Sequence, residues 1–214
     1  MFMSVIFSVL HSPKKTFEYI RENGGAFLIP FLVVIVITLG VAILQIPIIE
    51  RTLDATDLTQ LEGTGFDQEM FKKVSIYTGV AFSPIGVAAM VFITGLLLLL
   101  VNLVVRGEAK YMQLVKVTIL ATIPSLINGV LTGILANVTD AQNVNDLTIS
   151  LGAVMEQKSG FLFGIASMIN PFTIWYVALM VIGTAVMAQR PVKRVAIWIV
   201  AGYILINVPF AFFV

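Results

Sequence analysis

The sequence predicts an all-α polytopic membrane bundle: five transmembrane helices preceded by a short amphipathic interfacial helix. Three observations predict it. First, uncharged apolar runs occupy residues 26–49, 74–105, 117–136, 161–189 and 195–214, each about the 20 residues a helix needs to cross the hydrocarbon core. Second, the chain is 58% hydrophobic and 12% charged, with a mean hydropathy of +0.99, whereas soluble domains carry about a quarter charged residues. Third, the charges segregate by sign. If the gaps between runs alternate sides, one side holds Lys14, Lys15, Arg21, Arg106, Lys110, Lys116, Arg190, Lys193 and Arg194 against three acids. The other side holds four basic residues against nine acids, so the two sides carry +6 and −5. Short Lys/Arg-rich segments stay in the cytoplasm, which predicts the N-terminus inside and the C-terminus outside. The expected location is an integral membrane position, the plasma membrane in a bacterium.

Two regions are expected: a cytoplasmic interfacial segment, 1–25, and a five-helix transmembrane domain, 26–214. Residues 1–10 are apolar, but no basic segment precedes them. This is the wrong order for a secretory signal, and the stretch is expected on the inner membrane surface. Ser12-Pro13 marks a helix start, with Ser12 as N-cap. In the helix that follows, Phe17 and Ile20 lie among Lys14, Lys15, Glu18, Arg21 and Glu22. This amphipathic pattern suits an anionic leaflet, and equally a helix that simply leads into the first span. Asn23-Gly24-Gly25 ends it.

The first outer loop, 50–73, is acidic and broken by Gly63 and Gly65. The second, 137–160, is rich in Asn and Asp, with a short helix expected near 147–156 and Leu147, Leu151 and Val154 on one face. The inner loops are short, so spans two and three should pack as antiparallel neighbours, as should four and five.

Every span carries proline: Pro30 and Pro47, then Pro84, Pro124, Pro171 and Pro209. Each removes a backbone hydrogen bond that a neighbouring group must replace; Ser83, Ser125, Asn170 and Asn207 stand nearby. Static kinks are the favoured reading, and hinges around a solute path the other. Asn102, Asn128 and Asn170, with Gln45, are the strongest polar groups in or near the core. No Asp, Glu, Lys, Arg or His lies deep in a span, which argues against an ion-coupled pump and favours interhelical hydrogen bonding. Small residues recur four apart at Ser75, Gly79 and Ser83, at Gly129 and Gly133, and at Gly160 and Gly164. They predict close packing of spans two, three and four, with a homodimer face the weaker reading.

Catalytic constellations are not found. The single histidine, His11, has no cysteine or acidic pair around it, so no metal site is expected. No phosphate-binding loop occurs, since Gly63-Thr64-Gly65 is not followed by Lys-Ser or Lys-Thr. No Ser-His-Asp set assembles on one side of the membrane. The outer carboxylates do not have calcium-loop spacing. Asn137-Val138-Thr139 is a glycosylation triplet only in a eukaryotic secretory membrane. The expectation is no enzyme activity, no cofactor and no nucleic-acid partner. The expected partners are the bilayer and either another membrane complex or a second copy. The basic candidates for contacts at the membrane surface or with a partner are Lys14, Lys15, Arg21, Arg190, Lys193 and Arg194.

The run Ser12-Pro13-Lys14-Lys15-Thr16-Phe17-Glu18-Tyr19-Ile20-Arg21 resembles the leading segment of Yip1-domain proteins. So does Gly107-Glu108-Ala109-Lys110-Tyr111-Met112-Gln113-Leu114, running into the Pro124 span. Asn170-Pro171-Phe172-Thr173-Ile174-Trp175, then Gly183 and Lys193-Arg194-Val195-Ala196, resembles the family's Trp-containing fourth span and the basic turn before its fifth. The resemblance covers essentially the whole chain. It implies a five-helix membrane domain without known catalytic residues. Eukaryotic members act in vesicle traffic and bind small GTPases through a longer cytosolic N-terminal region; the roughly 25 residues here are too few for a separate partner domain. The short form is similar to bacterial members, some of which assist ABC-type exporters. An accessory or scaffold role follows from the resemblance, with a passive channel or lipid or solute transporter as the alternative.

Overall fold

A computed structural model describes residues 2–25, 27–56 and 67–213. Its elements are α1 (Phe2–His11), α2 (Pro13–Asn23), α3 (Leu28–Leu44), α4 (Ile46–Ala55), α5 (Gln68–Val104), α6 (Tyr111–Ala121), α7 (Ile123–Val138), α8 (Phe161–Met168), α9 (Pro171–Ala188) and α10 (Val192–Phe210). No strand occurs among the described residues. Helices Gln68–Val104, Tyr111–Val138, Pro171–Ala188 and Val192–Phe213 are long and apolar enough to cross a membrane. The pair α3 and α4, bent by 46°, makes a fifth candidate if it counts as one span. Gly63, Gly65 and their acidic neighbours Asp57 and Glu62 lie outside the described residues.

The surface is apolar because lipid, not water, is its solvent. Val36, Leu103, Ile197 and Leu205 are all exposed. At about 1.5 Å per residue, the 37-residue α5 is about 55 Å long, well over the ~30 Å hydrocarbon thickness. Its first turns therefore project beyond the bilayer, where Lys72 pairs with Asp54 at the end of α4.

Proline placement explains the broken spans. In three of them proline stands at the first or second position of a new helix: Pro47 in α4, Pro124 in α7 and Pro171 in α9. Proline's ring favours starting a helix and cannot donate back to the preceding turn. Pro84 instead sits inside the continuous α5. It cannot donate to the Val80 carbonyl four residues earlier, and the Ser83 hydroxyl does so at 2.9 Å.

The first half of span three, α6, packs between α5 and α9, whereas its second half, α7, lies against α3. Helices α9 and α10 pack as neighbours, as their short turn predicts. The main core collects Phe17, Leu98, Leu114, Val117, Leu179 and Met187. A second cluster, around Val34, Val91 and Ile119, packs α3 on α5, with Phe31 edge-on to Phe92 at 5.8 Å between ring centroids. The 147–156 helix does not form. Two 3-10 turns, Val144–Leu147 and Leu151–Val154, take its place, held by the Asn143 and Ser150 side chains. Leu147 is buried, while Leu151 and Val154 are exposed. Ser and Asn offer the local backbone a competing partner, which favours turns over a helix.

Candidate functional site

Two regions gather the polar residues: the basic end of the bundle and a cavity at the opposite end.

At the basic end, α2 does not lie with its apolar stripe toward lipid. Phe17 is fully buried and Ile20 nearly so, both packed in the main core. Gly183 on α9 makes room: a Cβ there would stand 2.9 Å from the Phe17 ring and 2.6 Å from Val117. Ser12 stands at the N-cap position, but its hydroxyl caps nothing in α2. Its carbonyl accepts from the Thr16 hydroxyl at 3.0 Å.

The six basic candidates fall into two groups. Arg21 donates to the Val186 carbonyl at 3.1 Å, in the last turn of α9, where unpaired carbonyls and the negative end of the helix dipole favour a cation. Arg190 donates through Nε to the Arg106 carbonyl at 2.9 Å, just beyond α5. Arg21 therefore seals a helix end, and Arg190 fastens the turn that follows α5. Lys14, Lys15, Lys193 and Arg194 are exposed. Of these only Lys14 has an ion-pair partner among the described residues, Glu18 at 3.8 Å, and such exposed pairs are worth little.

The same end is tied across the chain. The Glu108 N–H donates to the Ala188 carbonyl at 3.1 Å, and Gln189, in a left-handed conformation (φ 53°), donates to the Glu108 carboxylate at 2.7 Å. Lys116 reaches from α6 to the Gly24 carbonyl. Asn102 belongs here too. Its buried amide donates to the Ala109 carbonyl and accepts from the Ala109 N–H, both at 3.2 Å. It shapes the turn between α5 and α6 instead of joining two spans at mid-membrane.

Asn128 and Asn170 do join two spans: Asn170 donates to Asn128 at 3.4 Å, and its own oxygen accepts the Phe172 N–H at 2.8 Å as the N-cap of α9. They stand at the floor of a cavity of about 400 Å³ between the broken spans. Gln45, at the α3–α4 bend, donates to Thr132 at 3.2 Å. Ser167, Thr148 and Asn145 complete the polar wall; Ile48, Leu147 and Phe163 supply apolar surface. The Leu151 N–H donates to the Ile169 carbonyl at 2.9 Å, stitching the loop to the break in span four. Of the residues around this cavity, Ser167, Thr132 and Asn145 were not legible as site residues, because single hydroxyls and loop asparagines carry no spacing signal.

The glycine pattern needs correction. Gly129 and Gly133 do sit at a close contact, but with the first span: a Cβ would stand 2.9 Å from Val41 Cγ1 and 2.9 Å from Leu44 Cβ, respectively. Gly164 meets the backbone of Ala211, beyond α10, at 2.6 Å from a Cβ. Gly79 and Gly160 have nothing within 4 Å among the described residues. Gly160 serves its backbone instead, starting α8 at φ +85°. Four-residue spacing marks a helix face, not whether a partner covers it. Gly95, absent from that pattern, is tightly packed, 2.9 Å from Val115. Among the described residues no three His, Cys, Asp or Glu side chains converge to hold a metal.

A bundle of long apolar helices with leucines exposed on its surface defines a polytopic integral membrane protein. The Yip1 domain model matches residues 7–214, so the chain belongs to the Yip1 family. It is similar to membrane protein YknW of Bacillus subtilis strain 168, with 28% identity over 182 residues, 83% of this chain and 76% of that protein. No solved structure matches it.

Proposed function

We propose that this Yip1-family membrane protein is a non-enzymatic accessory or scaffold for another membrane protein complex, of which an ABC-type exporter is one example, and that its basic end lies in the cytoplasm. The observation that carries this reading is the division among the basic side chains. Arg21 and Arg190 are taken up by backbone carbonyls, of α9 and of the turn after α5, whereas Lys14, Lys15, Lys193 and Arg194 stay exposed at one end of the bundle. A helical frame presenting exposed cations suits an acidic protein surface or anionic headgroups, both of which such charges attract. A passive solute path is the second reading, and the polar cavity among broken helices favours it.

The test is purification from native membranes in mild detergent, comparing the wild type with a variant in which Lys14, Lys15, Lys193 and Arg194 are all glutamate. A stoichiometric protein partner retained by the wild type and lost by the variant supports the scaffold. Insertion must be equal for both, since charge reversal can disturb topology. Equal recovery of the partner by both, or no partner with either, counts against it.

A further inference from the structure

We infer that the 400 Å³ cavity beside the proline-started helices α4, α7 and α9 is a binding site for an uncharged, hydroxyl-rich solute of sugar size. The inference stands on the cavity alone and does not depend on whether the basic end docks a partner. Size comes first. At about 30 Å³ per water, the space holds roughly a dozen waters, well beyond a packing defect and within the range of small-molecule sites.

Charge comes second. No charged residue lines the cavity among the described residues. An ion moved there would lose hydration with no opposite charge to compensate. A neutral molecule meets no such penalty.

Hydrogen-bonding capacity comes third. The side chains that line the space keep unused capacity, whereas the Ser167 hydroxyl, which has no partner among the described residues, lies behind the wall. The Asn128 side chain makes one bond, at 3.4 Å, of the several its amide allows. Asn170, 8% exposed, keeps donor capacity beyond its cap. Gln45 donates to Thr132 and retains its carbonyl oxygen. Both donors and acceptors thus belong to the residues that line one space. A hydroxyl, which both gives and accepts, can pair with any of them. Ile48, Leu147 and Phe163 offer apolar surface for the C–H face of a ring.

The fold builds this chemistry deliberately around its breaks. Pro171 has no N–H for the Ser167 carbonyl, and Pro47 has none for Ile43. Irregular backbone at membrane depth is tolerated where it lines a polar cavity.

The chain has no native cysteine, so Ile149→Cys places a single thiol in the cavity lining without removing any of its polar groups. The experiment measures its alkylation by uncharged iodoacetamide in phosphatidylcholine nanodiscs, with free glucose, with monoglucosyl diacylglycerol in the disc, with choline, or with inorganic phosphate. At ten times its dissociation constant, glucose leaves about one site in ten empty and should slow alkylation about tenfold. Asn128→Leu in the same background should abolish that protection. Protection by free glucose identifies a soluble source, and protection by the glycolipid alone a headgroup source; either upholds the inference. No protection by either sugar overturns it, as does equal protection by choline or phosphate. If Ile149→Cys does not fold, Ile49→Cys reports on the same cavity with the same outcomes.

Discussion

Gly133→Leu measures the closeness of the first and third spans. A Cβ at Gly133 would stand 2.9 Å from Leu44 Cβ. Carbon atoms settle at about 3.5–4.0 Å, so the helices must separate by more than half an ångström even for alanine. Leu44 Cβ is fixed to its backbone and cannot swing aside. Separation also stretches two interhelical hydrogen bonds on the same seam: Asn137 to the Leu44 carbonyl at 2.8 Å and Gln45 to Thr132 at 3.2 Å. Replacing a helical glycine returns up to about 1 kcal/mol of propensity, while overpacking costs about 1–3 kcal/mol. Leucine brings three further carbons beyond the Cβ, so the balance falls on the unfavourable side by roughly 1–3 kcal/mol. For a chain of this size each kcal/mol moves the melting temperature about 2–4 °C. Gly79→Leu is the matched control, since nothing stands within 4 Å of its Cβ position among the described residues. Thermal unfolding in detergent, followed by tryptophan fluorescence, should show Gly133→Leu melting several degrees below wild type and Gly79→Leu unchanged or slightly above. Equal melting of the two variants would refute the close contact.

Arg21→Ala removes the cation that seals α9 and should lower stability by roughly 1–2 kcal/mol, whereas Lys15→Ala, at an exposed position, should leave the melting temperature alone; equal effects in the same assay would deny Arg21 its capping role. Asn102→Ala strands a buried N–H and carbonyl of Ala109, at about 1–3 kcal/mol for each group, and the loss is read by urea or thermal unfolding in detergent. Asn170→Leu removes the cap of α9 and should cost about 0.5–2 kcal/mol, with faster amide exchange at Phe172 as its local signature. For orientation, an impermeant maleimide applied to intact cells should label Asp140→Cys and spare Lys193→Cys; the reverse pattern would invert the proposed topology.

The sequence by itself determined the helical membrane class, because apolar length and low charge are properties of each segment alone. It also located the proline breaks, since a missing N–H is local chemistry. Asn128 and Asn170 were visible as polar groups in apolar runs, but not as partners: they are 42 residues apart, and only the packing of α7 on α9 brings them together. Glycine spacing identified small faces and left their coverage open. Tertiary structure decided that Gly129 and Gly133 meet the first span, that Gly79 meets nothing among the described residues, and that Gly95 and Gly183 are tightly packed. The charge pattern grouped six basic residues; the fold separated them, because Arg21 and Arg190 stand within reach of backbone carbonyls on neighbouring segments while Arg194, on α10, faces solvent. The cavity was least legible of all. Its walls come from three breaks and a loop distant in sequence, and a hydroxyl such as Ser167 carries no sign in the sequence that its neighbours will leave it without a partner.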